Sequence, residues 1–175
     1  MATFIERAVG AAKLDAATYE EVEHDPGAMG QAATLIVLAS LAAGLGAIRE
    51  LGVLGVLIAA AITLVAWSLW ALITLFVGTR LLPGPQTEAD FGQLFRTLGF
   101  SAAPGVFQIA ALIPAVGALI ALAASLWQLA AMVVAVRQAL DYESTGRAIA
   151  VCVIGFIPYA LVFSIGLRWL YVLSD

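Results

Sequence analysis

The chain has 175 residues, of which 63% are hydrophobic and 11% charged, with a mean hydropathy of +1.03. An average soluble domain is roughly 45–50% apolar and about 25% charged, so this chain has too little polar surface to face water on all sides. That excludes an ordinary soluble domain and a disordered chain, and a net charge of −4 offers no basic footprint for nucleic acid. The lone cysteine, Cys152, closes no internal disulfide and reads as a small core hydrophobe.

Residues 1–27 form an arm ahead of the apolar chain. Phe4, Ile5, Ala8, Val9 and Ala12 follow helical spacing, with Glu6, Arg7 and Lys13 elsewhere on the wheel. This predicts a short amphipathic helix, lying on the membrane surface or packed beneath a bundle by the same apolar face. The opening residues lack the hydrophobic core of a signal peptide, so the arm is expected in the cytoplasm. Asp15 is suited to cap a second short helix, and Thr18 with Glu21 has the spacing of a capping box.

An acidic stretch follows, containing Glu20, Glu23, His24 and Asp25. It reads either as a solvated, helix-capping turn or as a divalent-cation site built from carboxylates and the only histidine. Asp25-Pro26 then has the form of an N-cap followed by proline at the first helical position.

Four stretches carry no Asp, Glu, Lys, Arg or His: 26–48, 51–79, 97–136 and 148–167. About 20 mostly apolar residues span the roughly 30 Å hydrocarbon core. The third stretch is too long for one crossing and contains Ile113-Pro114-Ala115-Val116-Gly117, which predicts a tight hairpin. The expected fold is all-α, a bundle of five transmembrane helices at about 29–48, 53–77, 97–113, 117–138 and 148–172, making a 28–175 membrane domain behind the arm. Pro104-Gly105 predicts a kink or partial unwinding in the third.

With the N-terminus inside, Arg7, Lys13, Arg80, Arg96, Arg137 and Arg147 fall on the cytoplasmic side, and only Arg49 and Arg168 outside. The positive-inside rule therefore predicts a multi-pass protein of the cell (inner) membrane, N-terminus cytoplasmic and C-terminus outside. Arg168 lies beside Trp169 and Tyr171, residues suited to a membrane boundary. Between the second and third helices, Pro83-Gly84-Pro85 marks a turn. Thr87 and Asp90 resemble a cap for a short helix carrying Phe91, Leu94 and Phe95 at the interface, with Arg96 toward lipid phosphates.

Charged residues inside a membrane are functional candidates by default, and the five spans hold essentially none. Weakly polar faces remain: Thr63, Trp67, Trp70 and Thr74; Ser101, Pro104 and Gln108; Ser125 and Gln128; and Tyr159. They read as a packing code for close helices, or as a polar cavity for a small solute around Gln108 and Gln128. A straight-helix register sets those two amides at different depths, by about 8 Å. The indole N–H groups of the two mid-helix tryptophans are expected to find partners inside. No catalytic constellation and no cofactor-binding motif is present in the sequence.

Several segments, taken together, are unusual in combination. They are Phe4-Ile5-Glu6-Arg7 with 14–23, Arg96-Thr97-Leu98-Gly99-Phe100-Ser101-Ala102-Ala103-Pro104-Gly105, the 113–117 hairpin, Trp127, 133–140 and Thr145-Gly146-Arg147-Ala148. They resemble the prokaryotic members of the Yip family, the Ypt/Rab-interacting membrane proteins, over nearly the whole chain. The resemblance implies five transmembrane helices with a cytoplasmic N-terminus. For eukaryotic members it implies vesicle-trafficking proteins of the endoplasmic reticulum and Golgi that bind prenylated Rab-type GTPases. Those have a longer N-terminal region than this arm, and no catalytic or binding residue transfers. The expected function is non-enzymatic membrane organisation through the lipid bilayer, a homo-oligomer or a membrane-protein partner. A small-solute or ion channel or transporter is the alternative.

Overall fold

The computed structural model describes residues 2–45, 48–113 and 115–174, without the side chains at 49, 50, 159, 162, 163, 167, 170, 171, 173 and 174. The Tyr159 side chain, the Arg49 and Tyr171 side chains, and Pro114 of the hairpin thus lie outside the described residues.

Side-chain caps start the helices of the arm. The Thr3 hydroxyl accepts from the Glu6 N–H at 3.3 Å and Glu6 accepts from the Thr3 N–H at 2.7 Å, a capping box that opens α1 at Phe4–Ala12. Asp15 caps α2, Ala16–His24, by accepting from the Ala17 N–H at 3.3 Å. The Thr18–Glu21 box does not form, because Asp15 already fills the cap. Thr18 lies within α2 and donates to Asp15 at 2.7 Å, and Glu21 turns to Arg7. Asp25 accepts from the Gly27 N–H at 2.8 Å and starts the 3-10 turn Pro26–Ala28, which runs into α3, Met29–Gly44.

Helix α4 runs Ile48–Phe76 with a break at Gly52, whose φ of 64° needs a residue without a Cβ. It ends in a π-helical turn, Val77–Leu81. Asp90 and Gln93 exchange cap bonds of 2.9 and 2.7 Å to open α5, Phe91–Phe100. A turn at Ser101-Ala102 leads to a 3-10 helix, Ala103–Leu112. After the hairpin come α6, Gly117–Ala139, and α7, Thr145–Ser174, with Pro158 inside it.

Three stretches are long and apolar enough to cross a membrane: Pro26–Gly44, Leu51–Leu81 and Gly117–Ala139; Thr145–Pro158 is a shorter apolar helical segment. The expected third span, 97–113, is not one α-helix but the end of α5, a turn and the 3-10 segment. Pro104 has no N–H for an α-helical ladder, and the chain breaks just before it. Phe91–Phe100 is also not an interfacial helix. From Leu94 to Gly105 every residue is buried, and α5 packs against α2, α3, α4 and α6. It is the hub of the fold.

On α4, α6 and α7 many buried positions are alanine, while many exposed ones are large and apolar. Ala60, Ala66, Ala71, Ala124, Ala131, Ala135 and Ala148 are buried, while Val53, Leu57, Val65, Leu72, Leu119, Leu126, Val153 and Ile157 are exposed. In water that distribution would be costly; in lipid, small inward faces let helices approach and large outward ones meet acyl chains. The arm, the loop after α4 and the loop after α6 meet at one end of the bundle. Gln138 reaches Glu20 at 3.3 Å, Thr87 donates to the Leu140 carbonyl at 2.7 Å, and Arg147 reaches the Pro83 carbonyl at 3.2 Å. The Tyr142 hydroxyl lies 2.7 Å from the Leu82 carbonyl and 3.1 Å from that of Gly78.

Candidate functional site

Two arginines bind the arm to this end of the bundle. Arg7 of α1 is buried. Its guanidinium lies 2.9 Å from Glu21, 2.7 Å from Asp25 and 3.3 Å from the Gln31 amide oxygen, and so joins α1, α2 and α3. Hydrogen bonds from Arg7 hold the Glu21 and Asp25 carboxyls below their usual range. Arg96 of α5 does not reach toward lipid phosphates. It is buried, and its guanidinium donates to the Val22 carbonyl at 3.0 Å and to that of Glu23. Those are carbonyls of the last turn of α2, left without helical partners. A cation there satisfies them and faces the negative end of the helix dipole.

Aromatic side chains complete the docking. The buried Tyr19 hydroxyl donates to the Ala11 carbonyl at 3.1 Å, and the Trp127 indole N–H to that of Ala12 at 2.7 Å. Phe107 stacks on Trp127 with 5.6 Å between centroids. Phe4, Ala8, Ala11 and Ala12 face the core, whereas Ile5 and Val9 are exposed. Helix α1 is therefore packed under the bundle by one edge and leaves a second apolar edge free.

Beside these contacts, Glu20, Glu23 and His24 converge, with one ligand atom of each within 4.8 Å of the others. Asp25 is not among them, because its carboxylate faces Arg7. Glu23 is only 2% exposed, and its Oε2 has no hydrogen-bond partner among the described residues. Burial first, and then the adjacent Glu20 carboxylate, push Glu23 up to about 7. His24 is raised by the 2.9 Å contact of Nδ1 with the Glu20 carbonyl and by the Glu23 carboxylate.

Within the bundle, most hydroxyls are satisfied on their own helix. Thr63 donates to Ala59 at 2.9 Å, Ser125 to Ala121 at 2.9 Å and Ser101 to Leu98 at 2.6 Å. Trp67 and Trp70 pack edge to face at 5.9 Å, both buried. Among the described residues the expected partner for the Trp70 indole is not found: Trp70 Nε1 and the Thr74 hydroxyl are buried without a hydrogen bond. Gly155 of α7 passes so close that a Cβ there would lie 2.8 Å from Trp70 Nε1, which leaves no room for a polar side chain. An apolar cleft of about 450 Å³ lies between α4, α6 and α7, lined by Trp70, Met132, Cys152, Val153, Phe156 and Ile157.

Pro104 is buried beside Ser101, while Gln108 and Gln128 do meet, at 3.2 Å. The 3-10 residues from Gln108 to Leu112 rise about 2 Å each rather than about 1.5 Å, which recovers about 2.5 Å of the register difference, and the two long amide side chains span the rest. Interhelical amide bonds in membranes contribute about 0.6–2 kcal/mol. A Gln108→Leu/Gln128→Leu double-mutant cycle in detergent is expected to give a coupling in that range, and zero coupling would mean that the amides do not bond.

The inverted distribution of large and small side chains and the docked arm define a helical membrane protein. Residues 15–165 match the Yip1 domain family. The chain belongs to that family, as its resemblance implied. No curated protein and no solved structure matches the chain.

Arg7 and Arg96 are buried docking residues rather than surface cations. Arg96 carried a signal, a single cation between Phe95 and Thr97 in a run whose other residues are apolar or small.

Proposed function

We propose that this chain is a non-enzymatic organiser of the cell (inner) membrane, a member of the prokaryotic branch of its family. It acts through lipid, a second copy of itself or a membrane-protein partner. The observation that carries this reading is the outward array of large apolar side chains on α4, α6 and α7, over inner faces of small residues. Such a surface offers contact to lipid and to other helices. The Gln108–Gln128 pair, the motif for a solute path, is closed on itself.

A five-crossing topology with the N-terminus cytoplasmic is part of the proposal. Arg96 and Gln138 both touch α2, and a chain that leaves that end and returns to it supports a reading of two crossings between them. Residues 97–112, part α-helical and part 3-10, reach about 30 Å, the thickness of the hydrocarbon core. Irregular backbone is tolerated at that depth where protein surrounds it. Arg80, Arg137 and Arg147 share this end with the arm, which the positive-inside rule assigns to the cytoplasm.

Native mass spectrometry and in-membrane crosslinking of the full chain test the reading. The expected result is an oligomer, or a retained lipid or protein partner. A strictly monomeric species carrying neither would overturn it.

A further inference from the structure

We propose that Glu20, Glu23 and His24 form a binding site for a divalent transition-metal ion of the zinc class, at the end of α2. One donor atom of each lies within 4.8 Å of the others. In a tetrahedral site with bonds of about 2.0–2.2 Å, ligand atoms are about 3.4 Å apart, so side-chain rotation suffices to close the set.

The independent observation is Glu23. A solvated acidic turn keeps its carboxylates in water, but this one is 2% exposed and its Oε2 is without a hydrogen bond. A buried carboxylate without a partner is unfavourable, and coordination of a cation relieves it. The nearby Arg96 lends Glu23 its charge but no hydrogen bond, since its guanidinium is committed to the carbonyls of Val22 and Glu23. Among the described residues, the ion pairs are those of Arg7 with Glu21 and Asp25. The negative charge of Asp141 acts on both Glu23 and His24 and adds to the attraction for a cation.

The histidine selects the ion class. Its Nδ1 is 2.9 Å from the Glu20 carbonyl; a proton donated there leaves the lone pair on Nε2, the usual way in which a ligating imidazole is oriented. Mixed imidazole and carboxylate donors suit zinc-like ions, whereas calcium and magnesium favour oxygen alone. Glu23 lies deep and His24 is exposed, so the site is open to solvent on one side. Glu20 is also held by the Gln138 amide at 3.3 Å, so a bound ion would brace α2 against α6. The proposal is independent of the membrane-organising role.

The test is calorimetric titration of Zn²⁺ into the untagged full chain in detergent at pH 8, after treatment with chelator. The wild type is expected to bind one ion per chain, with a Kd of about micromolar or tighter, unaffected by excess Mg²⁺. Glu23→Gln and His24→Ala should each weaken binding by about tenfold or more, while Glu88→Gln, an exposed carboxylate outside the cluster, should not. Glu23→Gln preserves volume and His24 is exposed, so size-exclusion profiles should match wild type. Co²⁺ in place of Zn²⁺ should give visible absorption bands that His24→Ala shifts. Absence of saturable Zn²⁺ binding to wild type, or wild-type affinity in either cluster variant, would overturn the assignment.

Discussion

Arg96→Ala is expected to detach the arm and lower stability by about 3 kcal/mol or more. The guanidinium satisfies the Val22 and Glu23 carbonyls from within the core. Removing it strands those acceptors away from water, at about 1–3 kcal/mol for each unsatisfied group, and deletes charge-assisted bonds worth about 1.5–3 kcal/mol. It also takes a cation from the neighbourhood of Glu23. Arg96→Lys should recover little of the loss, since one ammonium lacks the planar fork that spans two carbonyls. Thermal unfolding in a fixed detergent reads the stability, and tryptic cleavage after Lys13 reads the detachment. Unchanged melting together with a resistant arm would show that α2 is held by other contacts.

Gly99→Leu is expected to be the most damaging single substitution in the hub, preventing stable folding. A Cβ at Gly99 would lie 2.6 Å from the Ala32 Cβ and 3.0 Å from its Cα. The obstacle is the backbone of α3, so relief requires moving a helix and not rotating a side chain. Overpacking of this kind costs about 1–3 kcal/mol for modest additions, which is the range expected for Gly99→Ala. Gly78→Ala is the matched control. Its Cβ would meet the Leu140 methyls at 2.4 and 2.8 Å, the far end of a side chain that can turn aside. Melting temperatures in one detergent should fall from wild type to Gly78→Ala to Gly99→Ala, with Gly99→Leu showing no cooperative unfolding transition. Equal effects at the two positions would mean that α3 and α5 are not in backbone contact.

These two positions mark the boundary of what was legible in the chain. Caps and breaks are matters of a few neighbouring residues, and there the reading holds. Asp15, Asp25-Pro26 and Gly117 begin elements where their chemistry says they should. Where two local signals competed, as Asp15 against Thr18, the helix took the earlier cap. Hydropathy alone showed a membrane protein, because too few polar residues exist to clothe the chain in water.

Depth, partners and facing are different in kind. Phe91–Phe100 has the pattern of an interfacial helix, and only the surrounding α2, α3, α4 and α6 make it the centre of the fold. Arg7 and Arg96 have the composition of surface cations, yet both point inward because the ends of neighbouring elements present carbonyls and carboxylates to them. Gln108 finds Gln128 across the hairpin from within a 3-10 segment, an arrangement that a straight-helix register does not anticipate. Of the acidic stretch, Asp25 went to Arg7 while Glu20, Glu23 and His24 gathered. Composition and short-range chemistry thus determined the solvent of this protein and where its helices start. Which side chains meet depended on surfaces brought together from distant parts of the chain, and that information exists only once the helices are packed.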